Sequence, residues 1–405
     1  MIKILLITYA PWRDDRTSGE TYTNIFGGMS DKLEFAQIYF KDIVPKNNIC
    51  KKYYLISHDS LIYDKISKIC PNNKLRNCNV FKIFESIAGY YCGWDTKELK
   101  TFITSFNPDV ILVGANDSIY ANRIIKTIHK KYRIPVVSYI WDDSFNMPLR
   151  GLPIAEKIKI SLENRYKFEV GKLSSNIYTI NPLMQSEYNN LFNKQCRLLY
   201  KGFDFSIKPP IKSIGSKETI KLVYLGTLCN GRDLTLRDTI NQLTRLKHDG
   251  YCFHLDIYSM SERTLERISM LNEEGISCLK PIIPSELIHQ VLQDADILLH
   301  VESFSKIETD VYRLSLSAKI VEYFYCHRCI LSIGGATGTT QYLSINNAAI
   351  VQTNRSYIYD ELKRLYENPN IIDEYAVNAW NCGKRNHDIK IIQDRFFSDI
   401  SILCK

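Results

Sequence analysis

The sequence predicts an α/β protein built from two doubly wound domains that face a cleft. Three observations lead there. Short, almost wholly apolar runs alternate with longer stretches of helical periodicity, the pattern of parallel strands buried on both faces between crossover helices. The alternation runs through the first 200 residues, stops at a stretch rich in Lys, Ser, Pro and Gly, and then starts again. A chain of 405 residues, 45% hydrophobic and 24% charged, also has the material for two sizeable cores.

In the first series the strands are "IKILLIT", "EFAQIYF", "DVILVG", "PVVSYI", "NIYTI" and "CRLLYKG". Helices are read at "GETYTNIFGGMSDK", "DTKELKTFITSF", "SIYANRIIKTIHKKY", "AEKIKISLENRYKFEVGKL" and "PLMQSEYNNLF". Between about residues 42 and 92 the pattern weakens. There "PKNNICKKYY" and "CPNNKLRNCN" read as loops around short elements, an insertion. The stretch "KGFDFSIKPPIKSIGSKE", residues 201–218, has linker composition. The second series has strands "IKLVYLG", "CFHLDIYS", "ADILLHV", "CILSIG" and "AAIVQT", separated by "LRDTINQLTRLKH", "ERTLERISMLN", "PSELIHQVLQD" and "SLSAKIVEYFY". The expected organisation is a domain over 1–200, a linker over 201–218, a second domain over 219–385 and a last helix over 386–405. That helix carries Ile389, Ile392, Phe396, Phe397 and Ile400 at helical spacing, so it has an apolar face to bury.

Several function classes are set aside. No apolar run approaches the roughly 20 residues of a membrane-spanning helix. The opening "MIKILLITYAPW" reads as a first strand, because its apolar run is short and lacks a small-residue cleavage site. Twelve cysteines show no framework spacing, which points to free thiols in a reducing cytoplasm. The one Cys-x-x-Cys, Cys326 to Cys329, lies in an apolar helix-to-strand run and lacks a second pair. A dinucleotide fold would want Gly-x-Gly-x-x-Gly after the first strand, where only Gly19 stands, and no P-loop is present. Asp294 and Asp296 in "DAD" mimic a metal-binding Asp-x-Asp, but sit where a helix hands over to a strand and read as turn and capping residues. The histidines show no metal spacing. His300, at a strand end, either lines the cleft or packs in the core. No metal and no cofactor are expected.

Charge is unevenly placed. Residues 1–200 hold 28 Lys and Arg against 19 Asp and Glu, whereas 201–405 hold 24 against 25. A net +8 carried wholly by the first half points to an anionic surface met there, or to a merely solvated face.

The stretch "RLSLSAKIVEYFYCHRCILSIGG" sets Ser317, Lys319 and Glu322 on nearby turns of one helix, flanked by apolar residues, ahead of a buried strand and a glycine loop. A cation and a carboxylate so placed suit one polar ligand; the other reading is a surface ion pair worth well under 1 kcal/mol. Ser317 caps the helix or touches the ligand. In the first half, Gly19 in "TSGETYT" opens the first helix, either as a close-approach glycine or as a plain turn residue. "YIWDDSF" places Trp141, Asp142 and Asp143 just past a strand. An indole face suits a ring-shaped ligand and a carboxylate suits ligand hydroxyls or a developing proton; capping of the next segment is the rival duty for either aspartate.

Together "LVYLGT...GR", "PSELIHQVLQDADILLHVES" and "LSLSAKIVEYFYCHRCIL" resemble the donor domain of bacterial GT-B glycosyltransferases, the large retaining group that builds capsules, O-antigens and other glycans. "NPDVILV", "IPVVSYIWDDSF" and "MQSEYNNLF" are similar to the acceptor domain of that group, so the resemblance spans nearly the whole chain. It implies two Rossmann-like domains, a nucleotide-sugar donor held against the second domain, and a glycan or lipid-linked acceptor. Nucleic acid is not an expected partner. By resemblance Lys319 is the phosphate lysine, Arg232 its arginine partner and Glu322 the ribose acceptor. Gly226, Thr227, Ser317 and Gly19 would complete donor binding, and Asp142 or Asp143 would serve the acceptor. A carboxylate accepts but does not donate, so two ribose hydroxyls suit Glu322. Cations and helix N-termini would neutralise the leaving diphosphate without a metal. The resemblance also implies a last helix that crosses back onto the first domain, and a basic first half resting on an anionic membrane through "KKYRIP" and "AEKIKISLENRYKFEVGK". The expected location is cytoplasmic, at the inner membrane face. One departure stands out. Where many members carry a donor-sugar glutamate eight positions before Glu322, this chain has Leu314; Glu302 or Glu308 would have to serve from a longer loop. An epimerase on the same fold, or a glycan- or nucleic-acid-binding protein with an inactive donor site, are the alternatives.

Overall fold

The computed structural model describes residues 1–15, 17–57, 94–114, 118–143, 145, 152–212 and 219–404. The chain divides into two compact units, Met1–Tyr200 with Lys390–Lys405, and Lys201–Ile389.

The first unit is a parallel sheet of β1 (Ile2–Thr8), β2 (Leu33–Tyr39), β3 (Lys52–Leu55), β4 (Val110–Gly114), β5 (Val136–Ile140), β6 (Asn176–Thr179) and β7 (Arg197–Leu198), in the order β3-β2-β1-β4-β5-β6-β7. Its helices are α1 (Thr17–Phe26), α2 (Lys97–Phe106), α3 (Ile119–Tyr132), α4 (Ile154–Leu173) and α5 (Pro182–Phe192). The central strands are apolar on both faces, and every residue of β4 and β5 is buried. That is the burial a parallel sheet needs when helices cover both sides. Local signals set the helix starts: Thr96, Ser118 and Asn181 each accept a backbone hydrogen bond as N-caps, the last with Pro182 at the first helical position.

The second unit repeats the plan with β8 (Ile220–Leu225), α6 (Arg232–His248), β9 (Phe253–Tyr258), α7 (Leu265–Leu271), β10 (Ser277–Leu279), α8 (Ile288–Asp294), β11 (Ile297–Val301), α9 (Lys306–Val311), α10 (Ala318–Tyr325), β12 (Cys329–Ile333), α11 (Gly338–Ile345) and β13 (Ile350–Gln352). Two longer helices follow, α12 (Ile358–Glu367) and α13 (Asn370–Asn386). All six strands are parallel, in the order β10-β9-β8-β11-β12-β13. In each unit the first strand stands beside the fourth, so the sheet reverses winding there, and ligands of such sheets lie at the carboxyl ends of the strands at that point.

Two strands depart from the sequence reading. β3 lies inside a segment read as loops, and β10 was not read at all. Both are sheet-edge strands of four and three residues, too short to show alternation, and β3 opens on an exposed lysine. The remainder of the expected insertion, with "CPNNKLRNCN", lies outside the described residues, as do residues 213–218. Residues 201–212 are anchored rather than loose. Phe205 is buried against Trp380 at 4.9 Å between ring centroids, Phe203 bridges Asp388, and Arg328 donates to the Pro210 carbonyl at 2.9 Å.

The last helix, α14 (Ile389–Leu403), belongs from Lys390 onward to the first unit. Phe396 is 1% exposed and meets Phe26 and Tyr178 at 5.1 and 5.4 Å between centroids. The Tyr178 hydroxyl donates to Asp399 at 3.0 Å, Arg197 pairs with the same carboxylate, and Gln393 donates to the carbonyls of Ile25 and Gly27. The apolar face legible in the sequence is therefore buried on the first unit's own core.

Candidate active site

The carboxyl ends of β8, β9 and β11 open into a pocket of about 270 Å³ in the second unit. Gly226, Thr227, Arg232, Ser317 and Lys319 line it, together with Tyr258, Met260, Ile282, Ile283 and Ile288, which supply apolar surface. Cations and small polar groups together with apolar side chains are the make-up of a site for a ligand with an anionic group joined to a flat or hydrophobic body.

Each polar wall residue has a local cause. Gly226 follows β8 in a tight turn closed by the Tyr224 hydroxyl, which donates to the Thr227 carbonyl at 2.6 Å. A Cβ on Gly226 would stand 2.6 Å from that hydroxyl, so the turn requires glycine. Gly231, with φ at +74°, then opens α6, and Arg232 is its first residue. No side chain caps α6. Ser317 occupies the N-cap position of α10 but makes no cap hydrogen bond; its own N–H donates to the Thr339 hydroxyl at 2.9 Å. Ser317 is among the residues that line the pocket. Two helix N-termini, where amides and the helix dipole favour anions, thus begin at residues lining this pocket. α10 is pinned there by Tyr323, whose fully buried hydroxyl accepts from the Leu225 N–H at 3.1 Å and donates to the Leu299 carbonyl at 3.2 Å.

Arg232 is held on several sides. Its Nε and Nη2 donate to Glu302 Oε2 at 3.2 and 2.9 Å, Nε also to the Val301 carbonyl at 3.2 Å, and Nη1 to the Thr227 hydroxyl at 3.3 Å. The Tyr312 ring lies 5.3 Å from the guanidinium carbon. Glu302 is 3% exposed, and its other oxygen lies 3.4 Å from His300 Nε2. Burial works against the Glu302 charge, but the hydrogen bond from His300 and the charges of His300 and Arg232 outweigh it and hold the carboxyl below the usual glutamate range. Burial likewise opposes the Arg232 charge, and Glu302 more than restores it.

Lys319 is more open, its side chain 41% exposed, and pairs with Glu322 Oε2 at 3.4 Å. Glu322 Oε1 meets Lys201 at 3.3 Å. Lys201 was not singled out from the sequence, since its neighbour in space lies 121 residues away. Glu322 stands between two cations with its side chain 12% exposed.

The other expectations fall as follows. His300 is both packed and at the pocket wall: it is 6% exposed, lines the pocket, and bonds Ser332 at 2.9 Å. Glu302 turns its carboxylate to Arg232 and His300, and Leu314 is buried at 2%. Asp296 accepts from the Lys221 N–H at 2.9 Å and pairs with Lys212, while Asp294 ends α8 and pairs with the Lys221 ammonium at 2.6 Å. Both lie at the amino end of β11, a strand's length of roughly 16 Å from the pocket end. Among the described residues no group of three or more His, Cys, Asp or Glu is placed to hold a metal ion. Cys326 and Cys329 are buried free thiols, and burial pushes Cys326 up to about 12.

Gly19, Asp142 and Asp143 belong to the first unit. A Cβ on Gly19 would overlap the Arg13 carbonyl oxygen at 1.8 Å, so glycine is required by the turn preceding α1. Trp141 packs edge-on against Tyr22 and Tyr139, and Gly114 leaves room for its ring. Asp143 accepts from the Tyr188 hydroxyl at 3.1 Å, and Asp142 is exposed. No described helix is long and apolar enough to cross a membrane.

No protein-family model matches the chain, and no curated protein matches it in sequence. Solved structures do match in shape. An α,α-trehalose-phosphate synthase (UDP-forming) from Burkholderia xenovorans superposes with a TM-score of 0.64 at 11% identity over 100% of both chains. A trehalose-6-phosphate protein from E. coli, bound with UDP-2-fluoro glucose, gives 0.63 at 9% identity over 98% of each chain. WaaG, a glycosyltransferase involved in lipopolysaccharide biosynthesis, gives 0.56 at 12% identity over 99% of each. With its two parallel-sheet α/β units, the chain has the fold of these proteins, the GT-B fold.

Proposed function

We propose that the protein is a glycosyltransferase that moves a sugar from a nucleotide-sugar donor to a glycan or lipid-linked acceptor, with retention of configuration and without a metal. The observation that carries the reading is the pocket itself, lined by Arg232, Ser317 and Lys319 together with apolar side chains, at the switch point of the second sheet. Negative charge builds on the leaving diphosphate as the glycosidic bond breaks. Two cations and two uncapped helix starts are the groups that stabilise it. Glu322 accepts ribose hydroxyls once the donor displaces part of its lysine pairing. The apolar side chains take the base, and Asp142 and Asp143 serve the acceptor. Among proteins of like shape, one is a UDP-forming synthase and one is a glycosyltransferase of lipopolysaccharide biosynthesis, which supports a role in bacterial surface polysaccharide. The basic first half rests on an anionic membrane that carries the acceptor.

The test is a thermal-shift screen of the full chain against UDP, GDP, ADP, CDP and their sugars, because a ligand specific for the folded state raises the melting temperature. Stabilisation by one nucleoside diphosphate, lost in Lys319→Ala, supports the reading. No stabilisation by any of them refutes it, and salt-dependent oligonucleotide binding in its place would favour a binding protein.

A further inference from the structure

Behind Arg232 lies a line of polar groups that the chemistry of sugar transfer does not itself call for. Ser332 and His300 are register partners on β12 and β11, and their side chains bond at 2.9 Å. His300 Nε2 stands 3.4 Å from one Glu302 oxygen, and the other oxygen takes both Nε and Nη2 of Arg232. The Ser332, His300 and Glu302 side chains are all nearly inaccessible, whereas Arg232 lines the pocket. Glu302 is placed there by backbone geometry: its N–H donates to the Ile333 carbonyl at 2.9 Å, and Gly334, with φ at +143°, passes so close that a Cβ would stand 2.3 Å from the Glu302 backbone carbonyl oxygen.

We infer that Glu302, locked by His300 and Ser332, is the positioning residue that fixes the Arg232 guanidinium for a diphosphate. This rests on the reading of the pocket as a nucleotide-sugar site. A guanidinium carries five N–H groups in a rigid fork. Here Nε and one N–H of Nη2 are spent on Glu302 and Val301, and one N–H of Nη1 on Thr227. One N–H on each terminal nitrogen is left for the ligand, and their directions are set before it arrives. An arginine without this backing loses rotamer freedom only when the ligand binds, and affinity falls by that cost. Two effects of Glu302 compete, since its charge also opposes a phosphate through Arg232. Positioning wins because the carboxylate is buried behind the guanidinium and shared with His300, so the ligand meets the cation first.

The experiment is a double-mutant cycle in nucleoside-diphosphate binding, measured by calorimetry on the full chain with whichever of UDP, GDP, ADP or CDP stabilises the wild type most. Glu302→Gln keeps shape and an acceptor while removing the charge. It is expected to weaken binding about tenfold in the wild-type background and not at all in Arg232→Ala, where there is no guanidinium to position. His300→Gln is expected to weaken binding in the same direction by a smaller factor. A merely structural role would lower the melting temperature without changing binding, or would weaken it equally in both backgrounds; either result overturns the inference, as does tighter binding by Glu302→Gln. If the wild type binds none of the four diphosphates, the site reading fails and the inference falls with it. If the wild type binds and Glu302→Gln binds equally well, only the inference falls.

Discussion

Arg232→Ala and Lys319→Ala are expected to weaken nucleoside-diphosphate binding alike, each by about 10- to 100-fold for one charge-assisted contact, yet to differ sharply in the stability of the ligand-free protein. Lys319 is 41% exposed at its side chain, and Glu322 keeps Lys201 when Lys319 is removed. An exposed pair of that kind is worth less than about 1 kcal/mol. Arg232 is 18% exposed at its side chain and its partner Glu302 only 4%. Removing one member of a buried pair costs roughly 3–5 kcal/mol, and the lower end applies here because His300 still serves Glu302. At about 2–4 °C per kcal/mol for a unit of this size, Arg232→Ala should melt about 6–12 °C below wild type and Lys319→Ala within about 4 °C. The pH dependence has a definite sign. Glu302 is held below its ordinary pKa, so the stability it contributes is complete above the unfolded glutamate value and is lost as pH falls through the folded one. In Arg232→Ala the His300 contact remains but the arginine's share of what opposes burial is gone, so the carboxyl takes up a proton at higher pH than in wild type. The gap between wild type and Arg232→Ala should therefore narrow from pH 8 to pH 5. Differential scanning fluorimetry without ligand reads both numbers. Equal melting of the two variants, or a gap that widens toward acid, would refute the reasoning.

Phe396→Ala opens a void between Phe26 and Tyr178 and should cost about 3–5 kcal/mol; calorimetry should show the loss in the melting of the first unit, with diphosphate binding retained. Removing residues from about 386 onward should impair sugar transfer more than donor binding, and a truncated chain with full activity would argue against this. Asp294→Asn should leave turnover and its response to added divalent cations unchanged, since the side chain is engaged with Lys221; acquired metal dependence would count against that assignment. Alkylation of the native protein followed by mass mapping should modify the exposed Cys229 and spare Cys326 and Cys329, whose thiols burial pushes well above the usual cysteine range.

The central strands and most helices were legible because burial on both faces leaves unbroken apolar runs such as "DVILVG" and "ADILLHV" in the sequence. β3 and β10 escaped because an edge strand of three or four residues owes its existence to a neighbour's open hydrogen bonds rather than to its own pattern. In the site, Gly226, Arg232, Ser317 and Lys319 follow strands or open helices, so local order brings them to one pocket. What surrounds them was not legible. Glu302 meets Arg232, 70 residues away, only because β11 lies beside β8, and Lys201 meets Glu322 across 121. Such partners are products of topology, and a single sequence carries no local trace of them.

The chain leaves the first unit at residue 200 and returns to it at 390, and the two passages are tied to each other, Phe203 to Asp388 and the Lys201 carbonyl to His387. In sequence the second unit is therefore an insert in the first, and the ends of the insert meet. This fixes an order of events during synthesis. Residues 1–200 emerge before the inserted unit, yet Phe26, Tyr178 and Arg197 wait for Phe396 and Asp399, which are made only after it. The inserted unit is complete in sequence before they arrive. The unit that begins to form before the insert is thus completed only after it, and its aromatic seam is a natural place for chaperone attention until α14 closes it.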